Sequence, residues 1–335
     1  MNLSFFLFKH FLCDEIINSD FFGIYKEGNQ MIRKASVAGS FYPFNEAKLV
    51  QTIETCFLDS EFGPGKMNIN QEPQSKRHVL GGVCPHAGYV YSGSAASYTI
   101  KAIFEDKCPD TIIILGTQHT GYSGISLMKE GAWETPLGQI QIDSIVAESI
   151  LSNSKFVKED NAAFSGFHGR EHNIEVQLPL IQYAAGMYEK NIKIVPIKVG
   201  DMNLQHIEEV GKGISKAIKS SGKDVVVISS SDMTHKQPSN YYQPADDLKE
   251  MFTRDKAVFE SIAQYDWENT FENALKTSVC GPQTIVMGMI VCKEMGATQA
   301  NVLKYYNSYE KMGGKGPCEY SVGYLSAVFT SGGSV

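Results

Sequence analysis

The chain has 335 residues, 43% of them hydrophobic and 20% charged, which is apolar material enough for one large α/β domain or two smaller ones. A net charge of −7 gives a nucleic-acid role no electrostatic support, and no basic run or arginine-rich helix supplies it locally. Seven scattered cysteines without a CxxC pair argue against a disulfide framework and fit a reducing cytoplasm. No apolar stretch approaches the roughly 20 residues needed to span a bilayer.

The first segment, Met1 to Leu12, is apolar but lacks a basic n-region and a small-residue cleavage site, and Asp14-Glu15 follow it. Residues 1–31 read as an N-terminal extension outside the fold, with Met31 placed to begin the protein and the domain running from 32 to 335. The competing reading is a membrane-touching helix. The polar stretch that ends at Lys76 contains Gly63-Pro64-Gly65 and reads as a loop.

Beyond it, runs rich in β-branched residues alternate with helical patterns. Val79–Cys84, Thr111–Leu115, Ile192–Val199 and Val225–Ser229 predict buried strands. Ser94–Phe104, His172–Tyr188, Leu204–Lys219, Pro244–Gln264 and Thr284–Met295 predict helices, the last opened by Pro282. Val302–Asn307 and Glu319–Phe329 predict two closing strands. The alternation predicts a single α/β domain with a central, mainly parallel sheet flanked by helices.

Four of these strands end in chemistry: Cys84-Pro85-His86, Gly116-Thr117-Gln118-His119, Lys198-Val199-Gly200-Asp201 and Ser229-Ser230-Ser231-Asp232-Met233-Thr234-His235. In a parallel sheet such ends share the carboxyl edge, where ligands of open α/β sheets bind. Three histidines and an aspartate then converge. Any one of them alone is more often a hydrogen-bonded structural residue. His10, His78 and His206 lack this setting.

His168 and His172 are four apart and share a face if helical. They do not form HExxH, so a zinc-protease reading has no support. The bland alternative is a helix start with ordinary polar residues. Cys280 precedes Gly281-Pro282, where a helix N-terminus favours a thiolate. The chain has no GxxxxGK[ST], no GxGxxG after a strand and no GxSxG elbow.

Taken in order, several segments are similar to the Memo family, also called AmmeMemoRadiSam system protein B. They are Arg33-Lys34-Ala35-Ser36-Val37-Ala38-Gly39-Ser40-Phe41-Tyr42, Pro85-His86-Ala87-Gly88-Tyr89, Leu115-Gly116-Thr117-Gln118-His119, Thr135-Pro136-Leu137-Gly138, Glu171-His172-Asn173-Ile174-Glu175-Val176-Gln177-Leu178-Pro179, Ser230-Ser231-Asp232-Met233-Thr234-His235 and Val279-Cys280-Gly281. The chain departs from the family pattern at Asn173, where serine is common, and at Thr117-Gln118.

The resemblance implies a fold related to class III extradiol dioxygenases. It implies His86, His119 and Cys280 as metal ligands, with Asp232, His235 and His172 in the same pocket. His235 takes the place of the dioxygenases' catalytic histidine. Two histidines and a carboxylate on one face, with open positions, suit Fe(II), the expected metal, while a thiolate as the third ligand shifts preference toward Cu(I), Zn or thiolate-bound iron, and the sulfur is itself oxidisable. Three functional readings follow. One is a metal-dependent redox enzyme with His235 as general acid/base. Another is a non-catalytic module that holds a peptide in the same pocket. The last is one component of a pathway with Amme-type and radical SAM partners.

Overall fold

The computed structural model describes residues 23–332 except 29, 70–75, 120–123 and 166–170. The chain opens with a hairpin of β1 (Ile24–Glu27) and β2 (Gln30–Arg33), then α1 (Glu46–Leu58), β3 (Val79–Cys84), α2 (Tyr89–Asp106) and β4 (Thr111–Thr117). Short strands β5 (Ile125–Leu127), β6 (Ala132–Thr135) and β7 (Gly138–Ile142) precede α3 (Ser144–Asn153), β8 (Val157–Glu159) and α4 (Gln177–Gly186). Next come β9 (Lys193–Val199), α5 (Leu204–Ser221), β10 (Val225–Ser230), β11 (His235–Lys236), α6 (Ala245–Ala263) and α7 (Trp267–Leu275). The chain closes with α8 (Pro282–Glu294), β12 (Gln299–Asn307), α9 (Ser308–Lys311) and β13 (Ser321–Thr330).

The sheet runs β1-β2-β6-β7-β9-β4-β10-β3-β13-β11, with β12 paired to β13. Its centre, β9-β4-β10-β3, is parallel, and β13 closes one side antiparallel to β3. The central strands are apolar on both faces because helices cover both. Ile113, Leu115, Val195, Ile197 and Val227 point to the side of α5 and α8, where Ile207, Val210 and Ile285 pack. Ile112, Ile114, Ile194, Val226 and Ile228 point to the other side, against Ile100 and Phe104 of α2 and Leu178 and Ile181 of α4. Both cores belong to one sheet, so the chain forms one α/β domain.

Local chemistry sets the helix ends. The Asn203 side chain accepts from His206 N to start α5, and Gly222, at φ 66°, ends it in the left-handed region that glycine adopts without strain. Pro282 opens α8 from its first turn, as its sequence position predicts.

Three expectations shift. The boundary after residue 31 falls inside β2: Ile24 to Glu27 pair with Gln30 to Arg33, and Ile32 pairs with Ala132, so the sheet reaches back to Ile24. The helix expected from His172 begins only at Gln177, because residues 173–176 are turns. The Glu171 carboxylate accepts from Ile174 N at 2.7 Å and holds that turn in place. His172 therefore precedes the helix instead of lying on its face, while His168 lies outside the described residues. Finally, α2 begins at Tyr89, ahead of Ser94, with Gly88 at its cap. No helix among the described residues is long and apolar enough to cross a membrane.

Candidate metal centre

Parallel register brings the expected strand ends level. Ser230 pairs with Cys84 on one side and with Gly116 on the other. His86 follows β3 by two residues, Asp232 follows β10 by two, and His119 follows β4 by two. They open onto a cavity of about 540 Å³, which His172 and His235 also line. Its remaining walls are largely aromatic, from Phe41, Tyr91, Tyr320 and Tyr324. Asp201, at the end of β9, does not join them. It is exposed and accepts from Gln283 Nε2 at 2.8 Å.

His86 is buried, 3% exposed, and its ring is held from behind. Nδ1 lies 3.1 Å from the Ser230 hydroxyl, which donates to the Asn173 carbonyl at 2.6 Å and accepts from Gln177 Nε2 at 2.9 Å. Nε2 lies 3.3 Å from Cys280 Sγ. The same sulfur accepts from Asp232 N at 3.1 Å and lies 3.6 Å from Ser231 Oγ. Gly281 is required next to it, because a Cβ there would strike Thr117 Oγ1 and Ser231 Oγ.

Metal bonds to imidazole nitrogen and thiolate sulfur are about 2.1 and 2.3 Å, so atoms 3.3 Å apart can touch one ion. The donor chemistry thus fits a transition metal.

Burial governs the charges. It pushes the Cys280 thiol up to about 12, and the nearby Asp232 carboxyl adds to that. It lifts Asp232 to about 7 although His86 N donates to Oδ1 at 2.7 Å and the Ala87 amide also stabilises the anion. Burial, then His172 and His119, holds His86 well below the usual histidine range. Burial and then His172 lower His119 to about 4, and burial lowers His235. These three imidazoles are neutral at neutral pH, the form that binds metal.

Among the described residues, His86, His119 and His172 bring one nitrogen each within 4.8 Å of one another. His172 stacks on His119 at 5.0 Å, with an interplanar angle of 9°, and Phe41 tilts against His172 at 5.0 Å. This trio differs from the set implied by the resemblance, since His172 enters it and Cys280 stands beside His86. The reason is that the chain around His172 turns before α4, which aims the ring into the cavity. His235 sits farther along the wall. Its Nδ1 is 2.8 Å from Tyr320 Oη, and its buried Nε2 has no hydrogen-bond partner among the described residues.

A second layer fixes these positions. Arg33 and Glu175 are fully buried and meet at 2.5 Å, with Arg33 lying 4.2 Å over the Trp133 ring. Glu175 also accepts from Ser36 N, Val37 N and Tyr42 Oη. Burial alone would raise its carboxyl, but Arg33 and these donors hold it below the usual range. Arg33 Nη2 also donates to the Glu171 carbonyl at 2.7 Å, the residue before His172.

Residue reading did not single out Tyr320, Phe41, Ser230 or Gln177. Phe41, Ser230 and Gln177 do stand inside the quoted motifs, but Tyr320 carries no local signal.

A family model described as Memo-like protein matches residues 33–328. A MEMO1 family protein of Pyrococcus furiosus is 40% identical over 288 residues, covering 84% of this chain and 94% of the relative. MEMO1 family proteins of Thermococcus onnurineus and Nitrosopumilus maritimus are 38% and 36% identical, covering 89% and 84% of this chain and 99% and 95% of theirs.

Proposed function

The chain belongs to the Memo family, and from that premise we propose that its pocket holds one transition-metal ion for redox chemistry. His86 and Cys280 are the anchoring pair, and His172 and His119 are the other imidazoles of the cavity. One observation carries this reading: His86 Nε2, freed by the bond that Ser230 makes behind the ring, faces Cys280 Sγ at 3.3 Å. Iron is the first candidate, with copper and zinc as alternatives that the thiolate favours. When bound, iron or copper would supply one-electron chemistry.

The chain's own residues do the rest. His235 takes or gives a proton at Nε2, whose lone pair or N–H has no partner among the described residues. Asp232 keeps the His86 and Ala87 amides in place. The aromatic walls receive the apolar part of a small molecule or peptide. The six described cysteines are free, which supports a cytoplasmic setting. The family resemblance points to Amme-type and radical SAM proteins as pathway partners.

The test is metal analysis of protein purified without oxygen. Stoichiometric iron, copper or zinc that disappears in His86→Ala and Cys280→Ser supports the site. Stoichiometric metal that survives both substitutions rules it out.

A second reading, a non-catalytic pocket that holds a peptide, draws on the high thiol pKa. A protonated Cys280 beside a neutral His86 leaves the metal-free pocket electrically satisfied. Tight peptide binding by metal-free protein would favour it.

A further inference from the structure

Two histidines of the cavity meet opposite partners at their second nitrogens. Behind His86, the Ser230 hydroxyl gives its only proton to the Asn173 carbonyl and already accepts from Gln177. Nδ1 of His86 must therefore be the donor, and Nε2 keeps its lone pair.

Behind His119, Nδ1 lies 3.3 Å from the Asn173 side-chain amide. The atom facing it is the amide nitrogen, because the same atom donates at 2.7 Å to the Thr117 carbonyl, which can only accept. A flipped amide would lose that bond and would place its nitrogen where Oδ1 now sits, a buried position without a partner among the described residues. Gly116 leaves the space this amide occupies, since a Cβ there would strike Asn173 Oδ1 and Ile174. An N–H aimed at Nδ1 requires a lone pair on Nδ1, so neutral His119 carries its proton on Nε2.

We propose that Asn173 is the specificity determinant of this pocket. It holds His119 as an Nε2–H donor toward an acceptor atom of a bound ligand and withholds it from the metal. His86 and Cys280 then anchor the ion, and His172 is the imidazole left within reach.

A metal-ligating histidine almost always donates its other N–H to an acceptor, and Ser230 meets that need for His86. Asn173 does the reverse for His119. Ligation through Nε2 would set Nδ1–H against the amide N–H, and ligation through Nδ1 would expel the amide. The tautomer assignment stands on hydrogen bonds alone, whereas its consequence for the metal rests on the metal-site reading above.

The tautomer is read in metal-free wild-type protein from long-range ¹H–¹⁵N spectra of labelled histidines, assigned with His86→Gln and His119→Gln. The expected pattern is Nδ1–H at His86 and Nε2–H at His119, and Nδ1–H at His119 overturns the proposal.

Anaerobic Co(II) titration then reads the consequence. His119→Ala should change wild-type affinity by less than about threefold, while Asn173→Ser, or Asn173→Ala if serine does not fold, should tighten binding about 10- to 100-fold. Adding His119→Ala to that variant should abolish the gain. A tenfold or greater loss from His119→Ala in the wild-type background overturns the withheld ligand. If no variant binds Co(II), the metal-site reading fails together with the metal half of the proposal, and the spectra still decide the tautomer.

Discussion

Cys280 Sγ and His86 Nε2 are 3.3 Å apart across 194 residues of sequence, and the bond from His86 Nδ1 to Ser230 leaves that Nε2 as an acceptor. In the metal-free pocket the thiol faces this Nε2 and also donates to the Asp232 carbonyl at 3.5 Å. A metal ion would take the place of the thiol proton.

Metal binding must then release that proton. Burial pushes the thiol up to about 12, while His86 and His119 sit below the usual histidine range and are already neutral. Affinity should therefore rise with pH, by up to about tenfold per unit between pH 6 and 8. Zn(II) competition titrations across that range check it. A flat profile would mean that sulfur does not bind as thiolate.

Ser230→Ala removes the acceptor behind His86. We expect metal affinity to fall about 10- to 100-fold, with little change in secondary structure. Zn(II) titration with circular dichroism separates the two effects, and unchanged affinity would count against an aligned His86.

Asp232 should make stability depend on pH. Its carboxyl titrates near 3.9 in an unfolded chain and near 7 when buried in the fold. Between those values the folded state holds a proton that the unfolded state has lost, so stability falls as pH rises through the window. Asp232→Asn does not titrate. Its melting temperature relative to wild type, measured without metal, should rise between pH 4 and 8. A difference that shrinks over that range would contradict the buried, raised carboxyl.

Glu175→Gln removes the closer of the two carboxylates that pair with buried Arg33 and leaves only Glu171, at 3.6 Å. Breaking such a pair costs about 3–5 kcal/mol, to be read from urea denaturation. A loss below about 1 kcal/mol would show that the neutral amide satisfies Arg33, Ser36 and Tyr42 equally well.

The central strands were legible because their β-branched runs are bounded by breakers, and Val79–Cys84 matches residue for residue. His86, His119 and Asp232 were legible because each follows such a strand by two residues. The β1–β2 hairpin was hidden, since four-residue strands give too few alternations to read. The start of α4 was misplaced because helical spacing continues through 173–176, while Glu171 and Asn173 bond locally and across the sheet. Tyr320 reaches His235 from 85 residues away, a contact that depends on tertiary packing alone. The role of Asn173 is likewise absent from its motif, because it depends on Thr117 and Gly116 standing beside it in space.

X-ray absorption of iron-loaded protein, prepared without oxygen, tests the central claim most directly. The account predicts one sulfur scatterer at about 2.3 Å together with imidazole nitrogens, and loss of the sulfur in Cys280→Ser. A first shell of nitrogen and oxygen alone in the wild-type protein would contradict it.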